Sequence, residues 1–146
     1  MDSVIVDLDG TLSDNSHRKH YIEGDDPDWS RYYGKVSEDG VKQNVRDFVT
    51  ELEEDHDIII LTARSNEVRR DTIKWLEEHE IPFDKLIMLT EGRWDISDHK
   101  FKKEKLQEIE DPVLAIDDKT SNCKMFENHG LKTYTVENEE AVRFHS

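Results

Sequence analysis

The chain contains 146 residues, enough for one domain, and its 35 acidic and 20 basic side chains give a formal net charge of −15. This charge opposes long-range attraction to nucleic acid, although a local basic patch could still bind a short end. The single cysteine, Cys123, excludes an internal disulfide, and the sequence shows neither a secretory signal nor the roughly 18 apolar residues of a membrane span, so we expect a cytoplasmic protein.

Predicted strands and helices alternate along the chain. An apolar strand at 4–8 is followed by a polar stretch at about 13–38, whose aromatics and glycines indicate a long functional loop or a small helical insert. Apolar residues from Val41 to Leu52 repeat at helical spacing, and the apolar run at 57–62 indicates a strand covered on both faces. The later elements are predicted as a helix from Asn66 to about 80, a strand at 85–89, a helix at about 98–109, a strand at 113–116, a helix that ends at Gly130, a strand at 131–136 and a polar, loosely held tail at about 137–146.

This alternation predicts a single α/β domain over residues 1–146, with a Rossmann-like parallel sheet flanked by helices. In such sheets, ligands bind beyond the carboxyl ends of the strands. Three predicted strands end in chemically active side chains: Asp7 and Asp9, Thr62 and Arg64, and Asp117 and Asp118. The sheet should therefore bring acids, a hydroxyl and a guanidinium to one edge.

The segment Asp7-Leu8-Asp9-Gly10-Thr11-Leu12 carries the most specific signal. Two carboxylates this close repel each other unless a cation or a proton compensates them. One acid as a nucleophile, the other as an acid and base, and a divalent metal between them would explain the pair. The pattern predicts phosphoryl-transfer chemistry, although a strand that runs into an acidic turn is the simpler alternative.

Four segments in order resemble the motifs of the haloacid-dehalogenase-like phosphohydrolases. They are the hexad at 7–12, Leu-Thr-Ala-Arg at 61–64, a lysine-bearing helix near 102 and Ala-Ile-Asp-Asp at 115–118. The resemblance covers about residues 3–136 and implies their fold, here with a short insert after the first strand instead of a large cap.

A closer resemblance is to the phosphatase domain of tailed-phage polynucleotide kinase/phosphatases. It rests on Asn-Ser-His-Arg at 15–18, on Arg64, on the spacing from Asp98 to Lys102, and on Ile-Asp-Asp-Lys-Thr at 116–120. The chain departs from those enzymes because it contains no Gly-Lys-Ser/Thr phosphate-binding loop. We therefore expect no kinase activity from this chain.

The resemblance implies roles that agree with the chemistry of the residues. Asp7 is predicted to be the nucleophile that forms an aspartyl-phosphate, and Asp9 the general acid and then the base. The implied cofactor is Mg²⁺, a hard cation that prefers oxygen ligands from Asp7, from the backbone carbonyl of Asp9 and from Asp117, with Asp118 bound indirectly or through water. The alternative for Asp117 and Asp118 is a turn that caps a helix.

Thr62 and Lys102 are predicted to contact the transferred phosphoryl group. Thr62 would offer its hydroxyl and its backbone N–H, and Lys102 would stabilise the charge that develops in the transition state. Lys100 and Lys103 compete for the same role, and a solvated lysine face is the alternative for any one of the three.

Arg18 and Arg64 are the candidate substrate-binding residues, because a guanidinium binds phosphate in a bidentate manner. The resemblance implies that Asp98 orients one of these arginines. A surface ion pair is the alternative for Arg64.

The aromatic residues of the insert, Tyr21, Trp29, Tyr32 and Tyr33, allow two interpretations. They could stack on a base beside the phosphate, or they could form a small core that orders the loop. We expect a structural role for most of them, with one aromatic facing the site.

These observations favour a Mg²⁺-dependent phosphomonoesterase that removes a 3′-phosphate from polynucleotide ends. A nucleotidase or small-molecule phosphatase that acts on free nucleotides is the first alternative, and an inactive binding relative is the second. The expected partner is a phosphorylated nucleic-acid end or a nucleotide, and the sequence predicts neither a membrane nor a protein partner.

Overall fold

Strands and helices alternate in the computed structural model, which describes residues 1–90, 92–93, 96–137 and 141–145. The strands are β1 (Ser3–Val6), β2 (Ser13–Asp14), β3 (Gly40–Val41), β4 (Asp57–Ser65), β5 (Lys85–Leu89), β6 (Pro112–Asp117), β7 (Lys132–Glu137) and β8 (Ala141–His145). The helices are α1 (Trp29–Tyr33), α2 (Gln43–Leu52), α3 (Arg69–Glu78), α4 (Asp98–Leu106) and α5 (Thr120–Asn128). Short 3-10 helices lie at Lys19–Tyr21, Val36–Glu38 and Asn66–Val68.

The central sheet has the strand order β5-β4-β1-β6-β7-β8. The first five strands of this order are parallel, which confirms the predicted parallel α/β fold. β8 pairs antiparallel with β7 and lies in the segment where the sequence predicted only a loosely held tail. We attribute this difference to the pairing itself. The five residues of β8 are ordered by hydrogen bonds to β7, and their sequence alone does not show that β7 is their partner.

Helices cover both faces of the sheet because β1 sends alternate side chains to opposite sides. Val4 and Val6 belong to one apolar cluster, and Ile5 between them belongs to the other. The first cluster includes residues of α2 and α3, such as Val45 and Trp75. The second includes residues of α4 and α5, namely Phe101, Leu106, Met125 and Phe126. None of the helices in the described part of the chain is long and apolar enough to span a bilayer.

Element ends differ from the predictions by a few residues. β4 continues to Ser65, three residues past the predicted end, and so carries Arg64 within the strand. Asn66 begins a 3-10 helix rather than α3, and the Ser65 side chain accepts a hydrogen bond from the backbone N–H of Glu67 at its start. These differences place Arg64 in regular backbone rather than in a loop.

The predicted helical insert is present and is closed at its base. β2 and β3 pair antiparallel, with Ser13 opposite Val41 and Asp14 opposite Gly40, a contact that the sequence analysis did not predict. The 3-10 helix at Lys19–Tyr21 and the helix α1 lie between these strands. Trp75 of α3 donates its indole N–H to the backbone carbonyl of Asp39 at 2.8 Å, which fixes the end of the insert to the body.

Candidate active site

A tight turn after β1 shapes the centre of the site. Gly10 has φ +84°, a conformation that side chains rarely adopt, and a Cβ there would collide with the Asp118 carboxylate. The turn brings Thr11 back to the strand end, where its hydroxyl donates to Oδ2 of Asp7 at 2.8 Å. Glycine at this position therefore lets two acidic segments approach each other.

Lys102 occupies the centre of a buried group of carboxylates. Its Nζ lies 2.7 Å from Oδ1 of Asp7 and 2.8 Å from Oδ2 of Asp117, and 3.6 Å from Oδ1 of Asp98 in the preceding turn of α4. The lysine side chain is 1% exposed, whereas Lys100 and Lys103 are exposed. Of the three candidate lysines, the structure places Lys102 in the site.

The charges of this group shift the pKa values of its members. Burial and then the neighbouring Asp117 raise the pKa of Asp7 well above its usual range, and Lys102 only partly opposes them. Burial also raises the pKa of Asp117. Burial alone would lower the pKa of Lys102, but the carboxylates outweigh it and raise that pKa. One ammonium is thus too little positive charge for the acids around it.

The same acids form the candidate metal centre. Asp7, Asp117 and Asp118 each place a carboxylate oxygen within 4.8 Å of the others. An all-oxygen donor set with excess negative charge fits a hard divalent cation such as Mg²⁺. Asp117 also accepts a hydrogen bond from the backbone N–H of Lys119 at 2.9 Å, so the turn that precedes α5 orients this ligand.

Asp9 lies in a second ionic group, which we call the arginine clamp: Asp9, Arg18, Asp39 and Arg64. Arg64 contacts Asp9 through Nε at 3.1 Å and through a terminal nitrogen at 2.8 Å, and Arg18 also donates to Asp9. Asp39 accepts from Arg18 at 2.7 Å and from Arg64 at 3.2 Å. Both guanidiniums and Asp39 are fully buried, so the clamp ties the insert to the end of β4.

The clamp reverses the effect of burial on Asp9. Burial alone would raise the pKa of this carboxyl, but Arg64 and then Arg18 lower it well below its usual range. The clamp therefore favours the ionised form of Asp9. Its carboxylate is not part of the three-acid metal cluster, and the predicted role of its backbone carbonyl in metal binding stays a prediction.

The other predicted residues lie around these two groups. Thr62 is buried at the end of β4, lines the same pocket as Asp7 and Asp9, and accepts a hydrogen bond from the backbone N–H of Arg64 at 3.2 Å. Arg18 and Arg64, predicted to bind substrate, direct most of their side-chain hydrogen bonds to the clamp, and of the two only Arg64 lines the pocket. A direct substrate contact stays a prediction for both.

The contacts of Asp98 do not include the arginine that it was predicted to orient, so that role stays a prediction. Asp98 accepts from the side-chain amide of Asn122 at 2.8 Å and lies 3.4 Å from Nζ of Lys119, in addition to its contact with Lys102. In the described part of the chain, it pairs with neither Arg18 nor Arg64. Asp98 begins α4, which packs beside α5 on one face of the sheet, whereas Arg64 donates to a threonine of α3 on the other face.

Three contributing residues were not predicted from the sequence. Asp39 holds both arginines, but it follows a 3-10 helix in the insert and belongs to no recognisable motif. Asn122 donates to Asp98 and to Asp117 at 3.1 Å. Thr11 could have been found, because it stands in the hexad four residues after Asp7.

The pocket above the carboxylates measures about 250 Å³ and has a mixed lining. Its floor includes Asp7, Asp9 and Thr62, and three insert aromatics, Trp29, Tyr32 and Tyr33, line one side. We expected one aromatic to face the site, so the insert contributes more than the prediction allowed. Tyr32 combines both roles: it is buried, its hydroxyl accepts from Asn15 at 2.9 Å, and its ring packs 4.2 Å from the Arg18 guanidinium.

Comparison with known proteins agrees with this geometry. The sequence model of the family described as "Polynucleotide kinase PNKP phosphatase domain" matches residues 1–140. A nucleotidase from Clostridium acetobutylicum is 25% identical over a match that covers 60% of this chain and 59% of the nucleotidase. The chain thus spans little more than half the length of this curated relative.

Solved structures share the fold. A Pnkp1/Rnl/Hen1 complex contains a chain that matches with a TM-score of 0.74 and 25% identity, covering 92% of this chain and 45% of that one. A haloacid dehalogenase-like hydrolase from Streptococcus pneumoniae matches with a TM-score of 0.67 and 20% identity, covering 94% of this chain and 85% of that one. The second match covers most of both chains, so the two proteins share the fold.

Proposed function

Because the chain belongs to the PNKP phosphatase-domain family of haloacid-dehalogenase-like proteins, and is thus a phosphoric monoester hydrolase, we propose that it removes 3′-phosphates from polynucleotide ends. The observation that carries the proposal is the match of this family over residues 1–140, which include every residue of the two ionic groups. Removal of a 3′-phosphate leaves a 3′-hydroxyl, so the proposed role is the repair of nucleic-acid ends.

The proposed nucleophile is Asp7. Thr11 and Lys102 hold its two oxygens at the pocket floor, so the carboxylate is oriented before substrate binds. Attack by one oxygen forms an Asp7–phosphorus bond while the bond from phosphorus to the leaving oxygen breaks. Water then attacks phosphorus, which releases phosphate and restores the Asp7 carboxylate.

Asp9 is the proposed acid and base of these two steps. The first step needs its protonated form, which gives a proton to the leaving oxygen, and the second needs its ionised form, which takes a proton from water. The arginine clamp favours the ionised form. The structure therefore supports the water-activating role of Asp9 more directly than its role as an acid.

Mg²⁺ is the proposed cofactor, held by Asp7, Asp117 and Asp118, whose carboxylates already converge. When bound, a divalent cation supplies charge stabilisation to the transferred phosphoryl group. Lys102 would add positive charge on the same group, and Thr62 a hydroxyl and a backbone N–H.

The second candidate function is hydrolysis of free nucleotides. The nucleotidase from Clostridium acetobutylicum favours it, because that relative shares 25% identity with this chain. The net charge of −15 also suits a small substrate better than a long nucleic acid. Both candidates use the same phosphorus chemistry and differ only in the leaving group.

Phosphate release decides between the two candidates. The assay compares a 3′-phosphorylated oligonucleotide, its 5′-phosphorylated isomer, and free 3′- and 5′-mononucleotides, each with Mg²⁺ and with EDTA. Asp7→Asn is the blank, and Asp71→Asn, on the exposed face of α3, is the matched control. We expect preference for the 3′-oligonucleotide and no release in EDTA, and preference for a mononucleotide would replace the proposal with a nucleotidase.

A further inference from the structure

Two groups of apolar side chains, which we call the walls, line the pocket over Asp7 together with its polar floor. The wall from the insert includes Ile22, Trp29 and Tyr33, and the wall from the sheet edge includes Ala63, Leu89 and Ile96. Phosphoryl transfer needs only the floor, so neither wall is explained by the reaction. Two apolar walls in one pocket suit a substrate that carries a flat ring system rather than an open-chain phosphate or a sugar phosphate without a base.

Trp29 is the wall residue whose exposure is hardest to explain by packing. It is 41% exposed, although most large apolar side chains of the described residues are buried. Its ring stacks on Tyr33 at 5.9 Å and 28°, and meets Tyr32 edge-on at 5.7 Å. The indole is thus supported on one side by other rings while part of its surface remains accessible at the pocket.

The support behind Trp29 is itself anchored to the catalytic body. The Tyr33 hydroxyl lies near the backbone of Ser65 at the end of β4, which counteracts part of the burial effect that raises the pKa of Tyr33. Tyr32 packs against Arg18 of the clamp. The position of the indole is therefore fixed relative to the floor of the pocket, which a recognition surface requires and a loop core does not.

Positive charge at the pocket fits a nucleotide rather than an uncharged aromatic. Lys19, exposed on the insert, and Lys119, 56% exposed beyond β6, both line the pocket of a chain with net charge −15. Lys119 pairs with Asp98, and no ion pair of Lys19 occurs among the described residues. These two ammonium groups could attract the phosphate that joins the terminal nucleotide to its neighbour.

We propose that the exposed face of Trp29 stacks on the nucleobase of the terminal nucleotide, so that the pocket recognises a nucleoside leaving group irrespective of its base. This inference rests on the proposed function and adds the residue that selects the leaving group. Stacking of a base on an aromatic side chain contributes about 1–3 kcal/mol and tolerates every base, because each base has a π-face. Loss of the indole should therefore cost about tenfold in specificity for base-bearing substrates.

The test compares two 3′-phosphorylated oligonucleotides that differ only at the terminal nucleotide, which carries thymine in one and no base in the other. We expect Trp29→Ala to lower the ratio of kcat/KM for the base-bearing over the abasic oligonucleotide by about tenfold, mainly through KM. Trp29→Phe should keep most of the ratio. Arg31→Ala, on the exposed side of α1 with 73% of its side chain accessible, is the matched control and should keep all of it.

If Trp29 served only to pack the insert, its replacement would not change the preference for a base-bearing substrate. Loss of activity on both oligonucleotides to the same extent, or a ratio unchanged in Trp29→Ala, would overturn the proposal, and circular dichroism of each variant identifies losses that come from unfolding. Failure of the proposed function is separate, because wild-type protein would then release no phosphate from either oligonucleotide. In that case, the ratio for thymidine monophosphate over deoxyribose phosphate, measured in the same variants, decides whether Trp29 recognises the base.

Discussion

Asp7 and Asp9 are the same residue type at the end of one strand, yet their surroundings are electrically opposite. Asp7 lies beside Asp117 and Asp118, and the ammonium of Lys102 contacts two of these three carboxylates, those of Asp7 and Asp117. Three negative charges and one positive charge leave an excess of two negative charges. Asp9 and Asp39 face two guanidiniums, so the arginine clamp has no excess charge.

The difference shows which ionic group the fold neutralises with its own side chains and which group needs a ligand to balance its charge. The clamp satisfies its own charges and therefore rigidifies the junction between the insert and the sheet. The group around Asp7 remains short of positive charge, so a divalent cation is favoured there. Burial, and then the repulsion between the carboxylates, raises the pKa of Asp7, and burial raises that of Asp117. The segment that follows β1 thus places a charge-balanced ionic group beside one that is short of positive charge.

The largest effect should follow from removing the Asp7 carboxylate. Asp7→Asn keeps the size of the side chain but cannot form the phospho-enzyme, so we expect phosphate release to fall by at least about 10³-fold. Steady-state assays with Mg²⁺ measure the loss. Retention of more than a small fraction of wild-type activity would mean that another residue attacks phosphorus.

The next largest effect concerns Lys102, the only ammonium that contacts both Asp7 and Asp117 in the described residues. Lys102→Ala should lower kcat by about 10²- to 10³-fold, because it removes positive charge from the transferred group. Lys100→Ala and Lys103→Ala, at exposed positions of α4, should stay close to wild type. An equal loss of kcat in all three variants would show that the total positive charge of α4 matters rather than the buried contacts of Lys102.

Asp39 tests whether the clamp stabilises the fold. Asp39→Asn removes the charge that neutralises two buried guanidiniums, so the free energy of unfolding should fall by about 3 kcal/mol. Urea denaturation followed by circular dichroism measures the change, with Asp47→Asn, whose side chain is 71% exposed, as the control. An unchanged midpoint in Asp39→Asn would show that water replaces the lost partner.

The smallest expected effect is on the free energy of unfolding, which Asp7→Asn and Asp9→Asn should change in opposite directions. In EDTA at pH 7, Asp9→Asn should destabilise the fold and Asp7→Asn should stabilise it, each by about 1 kcal/mol, because one removes a paired charge and the other a repelled one. Because the native pKa of Asp9 is lowered, its stabilisation is present above the unfolded pKa of about 3.9 and is lost as the pH falls further. The loss of stability in Asp9→Asn relative to wild type should therefore become smaller below about pH 4, as measured by urea denaturation. If both variants changed the free energy of unfolding in the same direction, the proposed electrical difference between Asp7 and Asp9 would be contradicted.

The sequence predicted the fold and the convergence of the site because both depend on local patterns. Apolar runs at strand spacing and amphipathic helices determine the parallel sheet, and the carboxyl ends of its strands then carry Asp7, Thr62 and Asp117 to one edge. Lys102, the lysine named first for the phosphoryl contact, is buried in the structure, whereas its competitors Lys100 and Lys103 are exposed. These predictions needed no knowledge of long-range packing.

The contacts that the sequence did not predict depend on how separate elements pack against each other in three dimensions. Asp39 reaches the arginines only because the insert closes on its own base and is held by Trp75, 36 residues further along. Asp98 was assigned to an arginine, but α4 lies beside α5, so Asn122 and Lys119 reach it first. Pairings of this kind are set by the relative placement of elements, which spacing along one chain does not encode.

The pairing of β2 with β3 makes the insert separable from the catalytic body. Its two ends leave the body side by side, and closure of a loop whose ends already meet depends weakly on length, about 0.6 kcal/mol for each doubling of a flexible loop. Arg18 and Asp39 lie close to these ends, so residues 20–38 can be exchanged without removing either clamp residue. Evolution or a designer could graft a longer segment there and give the same phosphatase chemistry a new range of substrates.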